Sequence, residues 1–174
     1  KAERNWDFSR YAEVIKVLRK RWDFKVVLVG GPDPLSRQAS EQIEQGIAGG
    51  CLNLTGKSSL KQLIAILKYS DALITPDTGP AHIADALGTP VVGLYAVAPP
   101  EKTGPYHSLQ WVVNKYPEAV RTILQKDPAT VSWRQRVHDN AAMQLIQVDD
   151  VVTKCDALFA EIVMAPANTA LHEV

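Results

Sequence analysis

Phe8, Tyr11, Ala12, Ile15, Leu18 and Trp22 recur at three- and four-residue steps with Ser9, Glu13, Lys16, Arg19 and Lys20 between them, which predicts an amphipathic helix with one apolar stripe. The run Lys25-Val26-Val27-Leu28-Val29, closed by Gly30-Gly31-Pro32, has the continuous apolar character of a strand buried on both faces of a parallel sheet. Leu35, Ala39, Ile43 and Ile47 space a second helix, which Gly49-Gly50 ends before a short strand at Cys51-Leu52-Asn53-Leu54. A third helix carries Leu60, Leu63, Ile64 and Leu67, with Ser58 or Ser59 as its cap, and leads to the strand Ala72-Leu73-Ile74-Thr75.

The pattern then repeats with smaller residues. A helix from Ala81 to Leu87 is stopped by Gly88-Thr89-Pro90 before the strand Val91-Val92-Gly93-Leu94-Tyr95. Beyond Ala96 it loosens through Pro99, Pro100 and Gly104-Pro105. It resumes as a strand at 110–113 and as a helix around 117–126, with Pro117 at the helix start. The last helix, capped by Asp149 or Asp150, carries Val151, Val152, Cys155, Leu158, Phe159, Ile162 and Val163 on one side, and residues 166–174 read as a frayed tail. Strands and helices alternating over short links predict an α/β fold, a Rossmann-like doubly wound parallel sheet, formed by one domain over 1–165. Ligands of such sheets lie beyond the carboxyl ends of the strands, which directs attention to Gly30–Asp33, Thr55–Ser59, Pro76–Pro80 and Ala96–Gly104.

Composition narrows the function. The chain of 174 residues carries 19 Lys+Arg against 19 Asp+Glu, a formal charge of zero, which argues against a general polyanion or nucleic-acid binder. Its 46% apolar and 22% charged residues are those of a globular chain that needs neither metal nor disulfide to hold its core. Cys51 and Cys155 lie in apolar runs far apart in sequence, so two buried thiols and a reducing compartment are expected. No window approaches the roughly 18 apolar residues of a membrane span, and the first twenty residues are too charged for a signal peptide. The chain starts at Lys1 without Met and runs directly into a helical pattern, so a portion of a longer protein is expected.

The richest chemistry is in Thr75-Pro76-Asp77-Thr78-Gly79-Pro80-Ala81-His82, which runs from a strand end into a helix. Asp77 or Thr78 can cap that helix, leaving the N–H groups of Gly79, Ala81 and His82 pointing outward at the positive end of its dipole, a ready site for an anion. Gly79 lets a phosphate approach the backbone, Thr78 adds a hydroxyl donor, and His82 lies one turn in. Asp77 repels a phosphate at contact distance and suits a sugar hydroxyl instead. The plainer alternative is a capped turn with His82 as an ordinary helix residue.

Other motifs are weaker. Leu54-Thr55-Gly56-Lys57-Ser58-Ser59-Leu60 lacks the glycine spacing of a P-loop and reads either as a backbone edge for a nucleobase or as a turn with a helix cap. Val29-Gly30-Gly31-Pro32-Asp33 lacks the dinucleotide fingerprint, which disfavours NAD, although Asp33 can reach ribose hydroxyls from that strand end. His107, His138 and His172 have no metal-ligand spacing, and no G-x-S-x-G elbow is present. Trp133-Arg134-Gln135-Arg136-Val137-His138 reads as a solvated helix face.

The segment Asp77-Thr78-Gly79-Pro80-Ala81-His82-Ile83-Ala84-Asp85-Ala86-Leu87-Gly88-Thr89-Pro90 resembles the D-[ST]-G-x-x-H-[LI]-A-A-A-x-G-x-P signature of family-nine glycosyltransferases, the ADP-heptose:lipopolysaccharide heptosyltransferases. Leu54–Leu60, Val27–Pro32, Gly104-Pro105-Tyr106 and the basic-x-Trp element Arg4-Asn5-Trp6 are similar to further motifs of that family. The resemblance implies the C-terminal, nucleotide-sugar-binding half of a two-domain GT-B enzyme.

Carried over by the resemblance, Thr78 and Gly79 contact the donor diphosphate, and Asp77 and His82 its sugar side. Arg4 binds phosphate, the Lys57-Ser58 backbone meets the adenine, and Asp33 or its neighbour meets the ribose. The implied reaction is metal-independent transfer of heptose from ADP-heptose to the inner core of lipopolysaccharide, with no cofactor, the ADP-sugar being a substrate. The catalytic base and the contacts to a lipid-anchored saccharide acceptor are expected in the N-terminal domain. The expected place is the cytoplasm, with peripheral contact at the inner face of the inner membrane. A different nucleotide-sugar, or a non-catalytic nucleotide-binding module, is the alternative. Ala96-Val97-Ala98-Pro99-Pro100 departs from the family's G-P-T-D-P, losing its Gly and Thr.

Overall fold

A computed structural model describes residues 2–165; the expected tail, 166–174, lies outside the described residues. A 3₁₀ turn (Ala2–Arg4) leads into α1 (Phe8–Leu18), β1 (Val26–Leu28), α2 (Pro34–Gly46), β2 (Cys51–Asn53), α3 (Leu60–Lys68), β3 (Leu73–Pro76) and α4 (Gly79–Ala86). Then come β4 (Val91–Tyr95), α5 (Pro100–Thr103), a second 3₁₀ turn (Tyr106–Trp111), β5 (Val113–Asn114), α6 (Tyr116–Thr122), α7 (Ala141–Gln144) and α8 (Val148–Met164).

All strand pairings are parallel: β1 with β2, and β4 between β3 and β5. Among the described residues no ladder joins the pair to the triplet, so the continuous sheet expected from sequence is in two pieces.

The winding on both faces is clearest at β4, whose five residues are all buried. Val92 and Leu94 pack into the large core with Val14 and Leu18 of α1, Val120 of α6 and Val151, Cys155 and Leu158 of α8. Their neighbour Val91 joins Leu67 of α3 and Ala81 and Ala84 of α4 in a separate cluster. Alternation along the strand thus feeds two layers, each fully buried aliphatic side chain contributing about 1.5–3 kcal/mol. Ala81 and Ala84 are fully buried, so the small residues of α4 allow it to lie close against the sheet.

β1 differs from its expectation. Ala12, Ile15, Ile43 and Ile47 of the α1–α2 layer cover Val26 and Leu28, but Val27 is 38% and its neighbour Leu52 on β2 is 56% exposed, so this pair is covered on one face only. Cys51, on the covered face of β2, is half-buried rather than buried, whereas Cys155 is buried.

Four local details also differ. The α1 stripe ends at Leu18, and Trp22, in the following turn, donates from Nε1 to Asp156 Oδ1 at 2.7 Å. The strand expected at 110–113 is a 3₁₀ turn through Trp111 followed by β5. Residues 131–138 are irregular rather than a helix face, and Val137 is fully buried. Gln147, not Asp149 or Asp150, is the N-cap of α8; Asp150 accepts from the Gln147 N–H at 2.8 Å in a reciprocal cap. No helix of the described residues is long and apolar enough to cross a membrane.

Candidate functional site

β3 ends at Pro76, and the chain enters α4 through Asp77 and Thr78. Thr78 is the N-cap, in extended backbone (φ −141°, ψ 165°), but its hydroxyl makes no capping bond: Oγ1 lies 3.0 Å from Oγ1 of the buried Thr75. The first turn of α4 is therefore not closed by a side chain. Of the three N–H groups expected to point outward, that of Ala81 is used, donating to Thr78 O at 3.1 Å. Gly79 opens the helix, where N–H groups have no intrahelical acceptor and the positive end of the dipole lies.

The glycine at 79 is required neither by its backbone, which has no positive φ, nor by crowding, since an added Cβ would meet no atom within 4 Å. What its missing side chain achieves is a bare backbone at the cleft. That cleft, about 340 Å³, is lined by Arg4, Asn5, Asp77, Thr78, Gly79 and His82.

Arg4 arrives from the other end of the chain. Trp6, 1% exposed, donates from Nε1 to Ile146 O at 3.0 Å and meets Tyr11 edge-on, so the preceding turn is anchored in the core. From there Arg4 Nη1 donates to Asp77 O at 2.9 Å and to Asp77 Oδ2 at 3.2 Å. Arg136 Nη1 lies 3.8 Å from the same oxygen. Asp77 itself is buried, and a carboxylate so placed between guanidiniums fixes them in direction.

Tyr95, at the end of β4, donates from its hydroxyl to Thr103 O at 3.1 Å. Burial, with a smaller contribution from the Asp77 charge, pushes its pKa well above the usual phenol range and keeps it protonated. It positions the Ala96–Gly104 loop and is not available as a base.

The other sequence-predicted residues lie outside the cleft lining. Asp33 is the N-cap of α2, accepting from Ser36 N at 3.0 Å and Ser36 Oγ at 2.6 Å, and these bonds hold its carboxyl below the usual carboxylate range. Lys57 donates from Nζ to Asn53 O at 3.0 Å. Ser59 rather than Ser58 caps α3, in a reciprocal box with Gln62.

Their two loops are joined: Gly56 N donates to Gly30 O at 2.9 Å, and Gly56 takes φ +69° with Pro32 Cα only 3.1 Å from where a Cβ would be, so both conformation and space call for glycine. Beside this contact the buried Thr55 hydroxyl has no hydrogen-bond partner among the described residues. The structure thus gathers Arg4, Asp77, Thr78, Gly79 and His82, and sets Asp33, Lys57 and Ser58 on the neighbouring loops after β1 and β2.

Sequence reasoning missed Asn5 as a lining residue and Arg136 as a neighbour of Asp77. Asn5, between Arg4 and Trp6, was within the motif that carried the signal; nothing local marks Arg136. A larger groove of about 550 Å³ lies at Val113–Lys115, Glu118 and Asp149–Lys154, but its charges neutralise one another, Lys115 standing 3.1 Å from Asp150 and 3.6 Å from Glu118. Among the described residues no group of three His, Cys, Asp or Glu side chains is placed to hold a metal ion.

Residues 1–129 match the model of glycosyltransferase family 9 (heptosyltransferase). The lipopolysaccharide core heptosyltransferase OpsX of Haemophilus influenzae is 35% identical over 152 residues, 87% of this chain and 44% of that protein. The lipopolysaccharide heptosyltransferase 2 of Escherichia coli K12 is 32% identical over 109 residues, 59% of this chain and 30% of its own length.

Among solved structures, a family 9 glycosyl transferase from Veillonella parvula superposes with a TM-score of 0.69 at 23% identity, covering 91% of this chain and 43% of that one. The E. coli ADP-heptose lps heptosyltransferase II gives a TM-score of 0.65 at 25% identity with the same coverage. The chain spans less than half the length of the relatives it matches.

Proposed function

Because this chain belongs to glycosyltransferase family 9, the heptosyltransferases, we propose that the cleft at the start of α4 is the donor site of an enzyme transferring heptose from ADP-heptose to the inner core of lipopolysaccharide. Residues 1–165 act as its nucleotide-sugar-binding domain, the C-terminal half of a two-domain GT-B enzyme. The observation that carries the reading is the bare backbone of Gly79 at a helix start, in the same cleft as the Arg4 guanidinium that Asp77 holds. A helix N-terminus, a hydroxyl donor and an oriented guanidinium are the parts that a diphosphate needs.

In the proposed reaction an acceptor hydroxyl oxygen bonds to the anomeric carbon of the heptose as the bond from that carbon to the terminal phosphate oxygen breaks. The hydroxyl proton passes to a base on the N-terminal domain, and ADP departs with the bonding electron pair. Arg4, the Thr78 hydroxyl and the Gly79 N–H meet the charge that grows on the phosphate, the role of an oxyanion hole. Asp77 and His82 stand on the sugar side, the Lys57-Ser58 backbone borders the adenine, and Asp33 or its neighbour meets the ribose. No metal or other cofactor takes part. The acceptor is a lipid-anchored saccharide met at the inner face of the inner membrane, and the enzyme works from the cytoplasm.

Isothermal titration with ADP and UDP, first without metal and then with Mg²⁺, tests the site. The expected result is selective ADP binding that Mg²⁺ leaves unchanged. UDP binding as tightly as ADP, or binding that requires Mg²⁺, contradicts the reading.

A further inference from the structure

Arg136 belongs to a stretch whose sequence reads as a solvated surface, yet its guanidinium ends 3.8 Å from Asp77 Oδ2, the oxygen that Arg4 contacts at 3.2 Å. The fold sets this reach. On one side of Arg136, Tyr116 donates from its hydroxyl to Gln135 O at 3.0 Å. On the other, Val137 donates from its backbone N–H to Val97 O at 2.9 Å and is fully buried. Gln135 Nε2 further donates to Arg136 O at 2.8 Å. The segment is pinned to Val97, just past β4, and to α6, and of its two arginines Arg136 is the one that reaches Asp77.

Two guanidiniums that approach a single carboxylate oxygen leave a surplus of one positive charge. Their mutual repulsion is offset only while an anion lies between them. His138 Nδ1 is 3.0 Å from Glu3 Oε1, a contact that ties the segment carrying Arg136 to the turn carrying Arg4. A phosphate entering the cleft offers the two arginines further oxygens, and guanidinium–phosphate bonds are among the strongest a side chain makes.

We propose that Arg136 is a second binding cation for the terminal phosphate of the nucleoside diphosphate, the phosphate bonded to the transferred sugar, and that Asp77 keeps it and Arg4 aimed at the cleft before the donor arrives. This inference rests on the reading of the cleft as a diphosphate site. It assigns to the irregular segment 133–138 a part in discriminating a diphosphate from a monophosphate.

The test is titration of the 174-residue chain with ADP and with AMP, which lacks the terminal phosphate. The wild-type chain is expected to prefer ADP. Arg136→Gln should weaken ADP about tenfold and AMP less than about twofold, the loss expected for a charge-assisted hydrogen bond made to one ligand only. Arg136→Lys keeps the charge without the planar fork, and its ADP affinity should fall between the two.

Arg136→Gln with unchanged ADP affinity, or with equal losses for ADP and AMP, overturns the role of Arg136 while a wild-type preference for ADP leaves the diphosphate site standing. A lysine variant as weak as the glutamine variant overturns the charge-based role. A wild-type chain that does not prefer ADP overturns both the inference and the site beneath it.

Discussion

Arg4 reaches Asp77 twice from one nitrogen, donating from Nη1 to the backbone oxygen at 2.9 Å and to the carboxylate at 3.2 Å. The pair joins the start of the chain to the loop after β3 and fixes a cation at the mouth of the cleft. Asp77→Asn removes the charge but keeps the backbone acceptor. It should lower stability by about 1 kcal/mol, because the Arg4 side chain is partly solvated. Arg4→Gln should cost more in ADP affinity, about tenfold, than in stability. Urea unfolding and ADP titration on both variants separate the two effects.

Gly79→Ala distinguishes a ligand site from a structural turn. The new methyl meets no atom within 4 Å and φ is not positive, so stability should stay within about 0.5 kcal/mol of wild type or rise slightly. ADP affinity should nevertheless fall, because the methyl occupies the approach to the backbone. A thermal melt and a titration on one sample check this; equal ADP affinity would mean that the bare backbone serves no ligand.

Asp85 stands where the family signature has alanine, and its carboxylate is buried. It accepts from Ser108 Oγ at 2.8 Å and from His107 N at 3.0 Å, while Ser108 Oγ accepts from Val91 N at 3.1 Å. This network ties the end of α4 to the turn Tyr106–Trp111. Asp85→Ala leaves buried donors unpaired and should destabilise the fold by about 2–3 kcal/mol, read from denaturant unfolding. The companion Asp85→Ala/Ser108→Ala should cost less than the sum of the single changes.

The thiols should differ in reactivity. Burial pushes the Cys155 pKa up to about 12, so the group stays a neutral thiol at pH 8, well below that value. Cys51 is raised too, by burial and by the Glu44 charge, but it is only half-buried. A chromogenic disulfide reagent at pH 8 should titrate Cys51 in the native chain and both cysteines after denaturation. Prompt reaction of Cys155 in the native state would contradict its placement.

The elements with strong periodicity were legible. β4 is read directly from Val91-Val92-Gly93-Leu94-Tyr95, and α4 from small residues followed by Gly88-Thr89-Pro90, because each is specified locally. The motif Asp77–His82 also lies within one strand–loop–helix unit, so its convergence on a cleft follows from topology. Local pattern misled at β1, whose apolar run implied two covered faces when Val27 and Leu52 stay partly open, since coverage depends on neighbouring layers. It misled again at Thr78, where a bond to Thr75 wins over the cap. Arg136 was illegible because its position is set by Tyr116, Val97 and Asp77, each distant in sequence, while its own neighbours look like surface.

The most direct measurement of the central claim is the affinity of the chain for ADP-heptose beside ADP under the same conditions. A donor site that holds the diphosphate and presents the sugar to Asp77 and His82 should bind ADP-heptose more tightly than ADP, and Asp77→Ala should remove that difference while also weakening ADP, because Arg4 and Arg136 lose the carboxylate that aims them. Equal affinity for the two ligands in the wild-type chain would contradict a sugar-donor site and leave a module that binds the nucleotide alone.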